Sequence, residues 1–340
     1  MASTAGQILS DSSAEIQIAA IETVAQLELT EATDGVYVLV QNGQTPDVRA
    51  AALSGLQTLG FTDIDQAIEL ALEDYEASVR MAAISLIPNL DIDDETAVAL
   101  LSEAFQEESV AEKQSALLAF SDLDNEVSYR FLNDQISRMA SGELPLAVHV
   151  ELIETVESLS SEELKWNLES AMETGVSDNP ATLYKASLRG GSAEQGARVF
   201  YNNAAAQCIR CHAVDGNGGE VGPELTSVAG TLSRVQLLES MVAPSARIAP
   251  GYGVITATLT DGDTVRGALR EETDSYYVIT VGSEDQTVQK SMIESVETTP
   301  SSMPAMGDLL SRRELRDLVE FMTTLNGPSG SASEQEPESH

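Results

Sequence analysis

Apolar residues recur every three to four positions in five similar blocks along the first half of the chain. Each block ends on a leucine, and successive blocks begin about 31 to 36 residues apart, at Glu15, Asp47, Ser78, Ala111 and Ala147. This spacing places the apolar side chains of a block along one side of a helix. The pattern predicts stacked helix pairs, an α-solenoid, although an ordinary helical bundle with chance periodicity would give a similar pattern.

The second half has a different pattern. Polar and glycine-rich stretches at Ser177–Pro180 and Arg189–Ser192 interrupt the helical periodicity. Short helices are predicted at Gly196–Tyr201 and Ser233–Val242, and a longer one at Ser311–Leu325. Between residues 252 and 297 the apolar period falls to two and turn residues such as Asp261-Gly262 appear, so this stretch predicts an antiparallel β unit of about four strands.

These patterns predict a mainly α protein with an inserted β unit. We expect helical repeats over residues 1–176, a linker over 177–191 and a second helical domain over 192–327. The β unit interrupts that second domain at about 252–299. The last residues, 328–340, are acidic and of low complexity, which is typical of a disordered tail.

Charge narrows the classes of partner. The formal net charge is −37, and most of the excess acid lies in residues 1–189. Because such a chain repels phosphate backbones, we expect no nucleic-acid partner. Solubility, a salt-adapted host and a basic partner protein are all compatible with this charge.

Two features of the sequence concern membranes and export. No apolar run is long enough for a transmembrane helix. The first residues also lack the basic and apolar regions of a signal peptide, so we expect the chain to be a mature form or a piece of a longer protein.

The chain has only two cysteines, which lie in the sequence Cys208-Ile209-Arg210-Cys211-His212. Two thiols at this spacing can add to the two vinyl groups of one haem, and the histidine that follows can bind its iron. The alternatives are less well supported. A thioredoxin-like pair should follow a strand of a βαβ unit, and a zinc site would need further ligands, whereas the other histidines, His149 and His340, are distant in sequence. The motif therefore predicts one covalent haem c, with His212 as an axial ligand.

The following residues resemble those of small cytochromes c. Gly222-Pro223-Glu224-Leu225 is similar to the GPxL segment of these proteins. The resemblance implies that the Pro223 carbonyl accepts a hydrogen bond from the histidine and that Leu225 packs on the haem. It also implies that Met303, in a Ser-Met-Pro sequence before the last helix, is the sixth ligand. Met306 is the competing candidate.

Residues from about 190 to 326 resemble the haem-binding domain at the C-terminus of large planctomycete-type proteins, a class I-like cytochrome c that HEAT-like repeats precede. The similarity includes the strings GGSAEQGARVF, CIRCH, LLESMVAPSARIAPGY and LRDLVEF. It implies a HEAT-like α-solenoid followed by a cytochrome c-like helical domain, and a helix crossing in which Gly196 and Phe200 pack against Leu318 and Phe321. The family's glycine after the Met-Pro pair is displaced here, since Ala305 and Met306 precede Gly307.

The function expected from these residues is electron transfer rather than catalysis. With two protein ligands on the iron, no position is open to a substrate. The resemblance implies an electron-donating dehydrogenase, as a partner or as a missing sugar-dehydrogenase-like domain, and a downstream acceptor. Because covalent haem attachment of this kind happens outside the cytoplasm, we expect an extracytoplasmic, for example periplasmic, location. The alternatives are a haem-bearing scaffold that acts through its repeats and, less favoured because it lacks a distal histidine, a haem peroxidase.

Overall fold

The computed structural model describes residue 9 and residues 13–173 and 180–327. Its contacts divide the chain into two compact units, Met1–Thr174 and Gly175–His340. The chain is mainly helical with a small antiparallel sheet, which confirms the predicted fold class at this level. Over the described ranges, none of the helices has the length and apolar character needed to span a bilayer.

The first unit is built from consecutive helices. Their bounds are α1 Ala14–Gln26, α2 Thr33–Asn42, α3 Pro46–Thr58, α4 Ile64–Leu72, α5 Ala77–Leu86, α6 Asp94–Gln106, α7 Val110–Ala119, α8 Glu126–Ser141, α9 His149–Ser158 and α10 Glu162–Glu173. Several begin at a side chain that accepts a hydrogen bond from the backbone of the first turn, as Thr45, Asp93 and Ser109 do.

Each of the five sequence blocks forms one odd-numbered helix, and these helices pack against one another in chain order. The apolar positions of the blocks supply the core; Leu53, Ala83, Leu117 and Leu152 are completely or almost completely buried. The even-numbered helices α4, α6 and α8 each contact the helix that follows them in the chain.

Two arginines of the first unit, the buried Arg49 and the partly buried Arg80, bind segments that follow them in the chain. The Arg49 guanidinium on α3 binds both carboxylate oxygens of Asp74, at 2.6 and 2.9 Å, and donates to the carbonyl of Gly43. Arg80, the matching residue on α5, binds Glu112 on α7 and donates to the carbonyl of Asp74. Arg49 therefore lowers the pKa of the Asp74 carboxyl below its usual range.

The second unit has three longer helices, α11 Ala193–Asn202, α12 Arg234–Val242 and α13 Arg312–Thr324. Helices α11 and α13 cross closely at Gly196, where a Cβ would overlap the carbonyl of Asp317. Beside this crossing the rings of Phe200 and Phe321 lie 5.7 Å apart, and Phe200 is fully buried. The glycine lets the two backbones approach, and the aromatic pair fills the space beside them.

The larger sheet of the second unit has five strands. Their bounds are β3 Val254–Leu259, β4 Thr264–Glu272, β5 Tyr276–Val281, β6 Glu284–Gln289 and β7 Ile293–Thr298. They lie in the order β6-β5-β4-β3-β7, and all neighbours are antiparallel. One face covers a small core formed by Ile255, Ala257, Ile279 and Val288. A separate two-stranded hairpin, β1 Ala213–Val214 and β2 Asn217–Gly218, follows the cysteines.

Two stretches differ from the sequence prediction. The β unit was expected to have about four strands; it has five, because a 3₁₀ turn at Lys290–Met292 separates β6 from β7. The range 177–191 was expected to be a linker. From Pro180 to Leu188 it is a 3₁₀ segment that packs on α12 and α13, and Ala186 and Ser187 are buried. Residues 177–179 lie outside the described residues.

Candidate functional site

The two cysteines and His212 lie on one tight turn. Residues Cys208–Arg210 form a 3₁₀ helix, and the amide groups of Cys211 and His212 both donate to the carbonyl of Cys208, at 3.1 and 3.0 Å. The turn begins at Gln207, which has left-handed backbone angles (φ 47°). The chain thus brings both thiols and the imidazole into one turn.

A glycine-rich loop lies directly against this turn. The amide of Gly219 donates to the carbonyl of Ile209 at 2.9 Å, and that of Gly222 donates to the carbonyl of Cys211 at 2.7 Å. A Cβ at Gly218 would overlap the His212 carbonyl, and one at Gly219 would overlap the Arg210 carbonyl. These two glycines are required because the two backbones touch here.

The imidazole of His212 is held between the same loop and the Pro223 carbonyl. Nδ1 of His212 lies 2.9 Å from that carbonyl oxygen, a distance at which a protonated Nδ1 donates a hydrogen bond. This contact leaves Nε2 as the ring nitrogen that could bind a metal. The ring also lies so close to Gly222 that a Cβ there would be 2.5 Å from Cε1.

Leu225 and both candidate methionines contact the core of the second unit. Leu225 is partly buried, and its amide donates to the carbonyl of Ala213. Met303 is also partly buried, and its amide donates to Oγ of Ser301 at 3.2 Å. Met306 is only 3 % exposed and begins a 3₁₀ turn, Met306–Asp308. Met303 is thus the more accessible of the two thioethers.

The two thiols have different surroundings. Cys208 is buried among the core residues of the second unit, whereas Cys211 is exposed. Burial raises the pKa of the Cys208 thiol above its usual range, because the apolar surroundings disfavour the thiolate. Both cysteines are free and can therefore serve as attachment points.

The other histidines lie elsewhere. His149 is on α9 in the first unit, where it is buried and its Nε2 lies 3.0 Å from the carbonyl oxygen of Leu144. His340 lies outside the described residues. Within 13–173 and 180–327, no group of three or more His, Cys, Asp or Glu side chains is arranged to hold a metal ion.

A cavity of about 210 Å³ lies in the first unit. Its wall includes Gln57, Phe61, Ile68 and Leu86 and contains neither cysteine nor histidine. It is therefore separate from the turn that carries the cysteines.

One contact of the site could not be read from sequence. The GPxL segment identifies Gly222 as part of a turn, but its contact with the His212 ring depends on how the loop folds back on Cys211. Neither the known family models nor the curated protein sequences match this chain.

Proposed function

We propose that this protein is an electron-transfer c-type cytochrome that carries one covalent haem in its second unit. The observation that supports this most strongly is the pair of contacts at His212. The Pro223 carbonyl fixes Nδ1, and Gly222 confines the ring, so Nε2 remains for an iron atom. The redox chemistry of a CxxC pair alone would not require a histidine held in this way.

The residues of the site fit a haem c. Cys208 and Cys211 lie on one turn and would be the two attachment points, and His212 would bind the iron. Leu225 would contribute apolar surface, and Met303 would be the second protein ligand in preference to the more buried Met306. A bound haem would supply a one-electron couple, and a thioether ligand would raise its potential.

The chain's own residues then have distinct tasks. The hydrogen bond to Pro223 orients the His212 imidazole and increases its strength as a ligand. The close loop of glycines covers the turn on one side. If His212 and Met303 both bound the iron, no position would remain for a substrate, so the site would carry electrons only.

The first unit supports an accompanying proposal about partners. We propose that its helices are HEAT-like repeats, because the odd-numbered helices pack against one another in chain order. Stacks of such repeats commonly bind proteins. We propose that the cytochrome accepts electrons from a dehydrogenase, passes them to a downstream acceptor and works outside the cytoplasm. A scaffold role for the repeats is the second candidate, favoured by the same stacking.

The experiment that tests the proposal is haem staining after denaturing electrophoresis of protein produced with the cytochrome c maturation system. The colour should migrate with the polypeptide, and Cys208→Ser with Cys211→Ser should abolish it. Haem that acid–organic extraction removes completely, or a chain that never binds haem, would contradict the proposal.

Ligation by methionine is tested separately by absorption spectroscopy. Met303→Ala should remove the methionine–iron charge-transfer band of the oxidised protein. Met292→Ala is the matched control, because Met292 is half exposed and lies in the β unit. Loss of the band in Met306→Ala alone would assign the sixth ligand to Met306 instead.

A further inference from the structure

Residues 180–188, which precede the first helix of the second unit, contact the loop that carries both candidate methionines. The hydroxyl end of the Tyr184 ring packs against Gly307, so closely that a Cβ at residue 307 would overlap the hydroxyl oxygen and lie 2.9 Å from Cε1. Gly307 directly follows Met306 and lies four residues after Met303. A side chain from outside the haem-binding motifs therefore fills the space beside the methionine loop.

This segment is fixed to the helices around it. Oγ of Ser187 donates to the carbonyl of Arg312, the first residue of α13, at 2.8 Å. The guanidinium of Arg234 on α12 donates to the carbonyl of Leu188 at 3.4 Å and binds both carboxylate oxygens of Glu320, at 2.6 and 2.8 Å. Ser187 is fully buried. The segment can therefore act as a rigid support for what it contacts.

The backbone directs Tyr184 toward the loop. Residues Pro180–Leu188 form two short 3₁₀ stretches that meet at Tyr184, where the backbone leaves helical angles (φ −106°, ψ 15°). The ring packs against the core that contains Met306 and Leu310. The turn Met306–Asp308, which includes Gly307, leads within a few residues into α13 through the N-cap of that helix, Ser311.

We propose that Tyr184 is a positioning residue for the axial methionine: it holds the Gly307 turn at the distance from His212 that methionine ligation requires. This inference rests on the proposed function. The bond from a thioether to iron is weak, so a small displacement of the loop weakens ligation while leaving the covalent attachment at Cys208 and Cys211 unchanged.

The contact can be disturbed from both sides. Tyr184→Leu empties the space, and Gly307→Ala overfills it. The double variant combines the shorter side chain at residue 184 with the added methyl group at residue 307, so its effect on methionine ligation should be smaller than the sum of the two single effects. Gly230→Ala is the matched control, since Gly230 lies in the same unit, has no positive φ and has open space where the Cβ would be.

The measurement is an alkaline titration of the oxidised, haem-loaded full chain, followed by the methionine–iron charge-transfer band. In each single variant we expect the midpoint for methionine loss to fall by about one pH unit, which corresponds to about a tenfold weaker bond. We expect the reduction potential to fall with it. The double variant should recover part of both losses, and Gly230→Ala should match the wild type.

The outcomes separate this inference from the proposed function. A wild-type chain without covalent haem contradicts the proposed function and the inference together. A wild-type chain with covalent haem but without the band contradicts methionine ligation, and with it the inference, but not the covalent cytochrome. A wild-type chain with both, whose Tyr184→Leu and Gly307→Ala variants titrate like Gly230→Ala, overturns the inference alone. Variants that melt earlier but keep the wild-type midpoint and potential, when measured well below their melting temperature, also overturn it, because Tyr184 would then have only a structural role.

Discussion

The imidazole of His212 leaves no room for a side chain at residue 222. A Cβ on Gly222 would lie 2.5 Å from Cε1, 2.8 Å from Nδ1 and 3.0 Å from Nε2 of the ring. Ordinary contacts between such atoms begin at about 3.5 Å, so the ring would have to retreat by about 1 Å in Gly222→Ala. Gly222 has no positive φ, so the effect of the substitution is steric and not a matter of backbone strain.

The retreat has a calculable consequence at Pro223. The Nδ1–oxygen distance of 2.9 Å cannot be maintained through a displacement of that size. The loss of this hydrogen bond costs about 0.5–1.5 kcal/mol, and the loss of such an orienting partner typically weakens a metal–histidine bond about 10- to 100-fold. In acid, a proton competes with iron for Nε2, so a weaker bond is displaced at higher pH.

The assay is an acid titration of the haem-loaded protein, in which the change from low-spin to high-spin absorption marks the loss of His212. We expect the midpoint of Gly222→Ala to lie about one to two pH units above that of the wild type, one unit for each tenfold loss in ligand strength. Gly230→Ala should titrate like the wild type. A Gly222→Ala midpoint equal to that of Gly230→Ala would show that neither the ring position nor the Pro223 contact controls ligation.

Three further predictions concern charged groups. Arg49→Ala should cost about 3 kcal/mol, the lower end of the range for a broken buried ion pair, because the Asp74 carboxylate loses its arginine but keeps the hydrogen bond from the amide of Glu76. Chemical denaturation should show this, with the exposed Arg130→Ala as control. Because the pKa of Asp74 is lowered in the folded state, its contribution to stability is present above the ordinary carboxyl range and is lost as the pH falls through the folded value. Arg49→Ala should therefore flatten the acid limb of the stability profile; an unchanged limb would contradict the role of Arg49 in lowering this pKa. If the acidic surface steers a basic redox partner, reduction by a small basic electron-transfer protein should slow as salt rises toward about 0.1 M, where the screening length is about 10 Å. Reduction by a small uncharged reductant should not slow, and equal salt responses of the two reductants would exclude electrostatic steering.

The helices could be predicted from sequence because their signals are local. Each apolar block forms one helix, and the last helix, expected at Ser311–Leu325, spans Arg312–Thr324 between those two residues as caps. The capping box that Ser311 forms with Glu314 involves only four consecutive residues. Neither the period nor the cap requires knowledge of a distant segment.

The strand count depended on pairing between distant residues. Residues 284–298 contain no glycine or proline that would mark a turn, so nothing local marks the break. The break arises because β6 pairs with β5 whereas β7 pairs with β3 on the other side of the sheet. Between them Lys290 is fixed by its amide, which donates to the carbonyl of Ser275, and by its ammonium, which binds Glu272.

Gly190-Gly191, part of the range that was expected to be a linker, includes a glycine with a packing role. A Cβ at Gly191 would overlap the backbone carbonyl of Arg316 on α13, so a glycine is required here because the chain approaches α13 closely. The same composition is typical of flexible connections, and a single sequence cannot distinguish the two cases. The burial of Ser187 likewise depends on α13, which lies more than a hundred residues later in the chain.

The insertion of the sheet also bears on where the methionine loop lies. Because β3 and β7 are neighbours, the first and last strands of the insertion lie side by side, and the amide of Thr299 donates to the carbonyl of Val254 at 2.9 Å. Two residues later, the amide of Ser301 donates to Oγ of Ser245 at 3.1 Å. The two ends of the β unit therefore lie side by side where it joins the helical part of the second unit. The entropic cost of inserting the extra residues is small for this reason. It follows that the position of Met303 depends on the contacts at Ser245 and at Gly307 on either side of it, and not on the size of the inserted sheet.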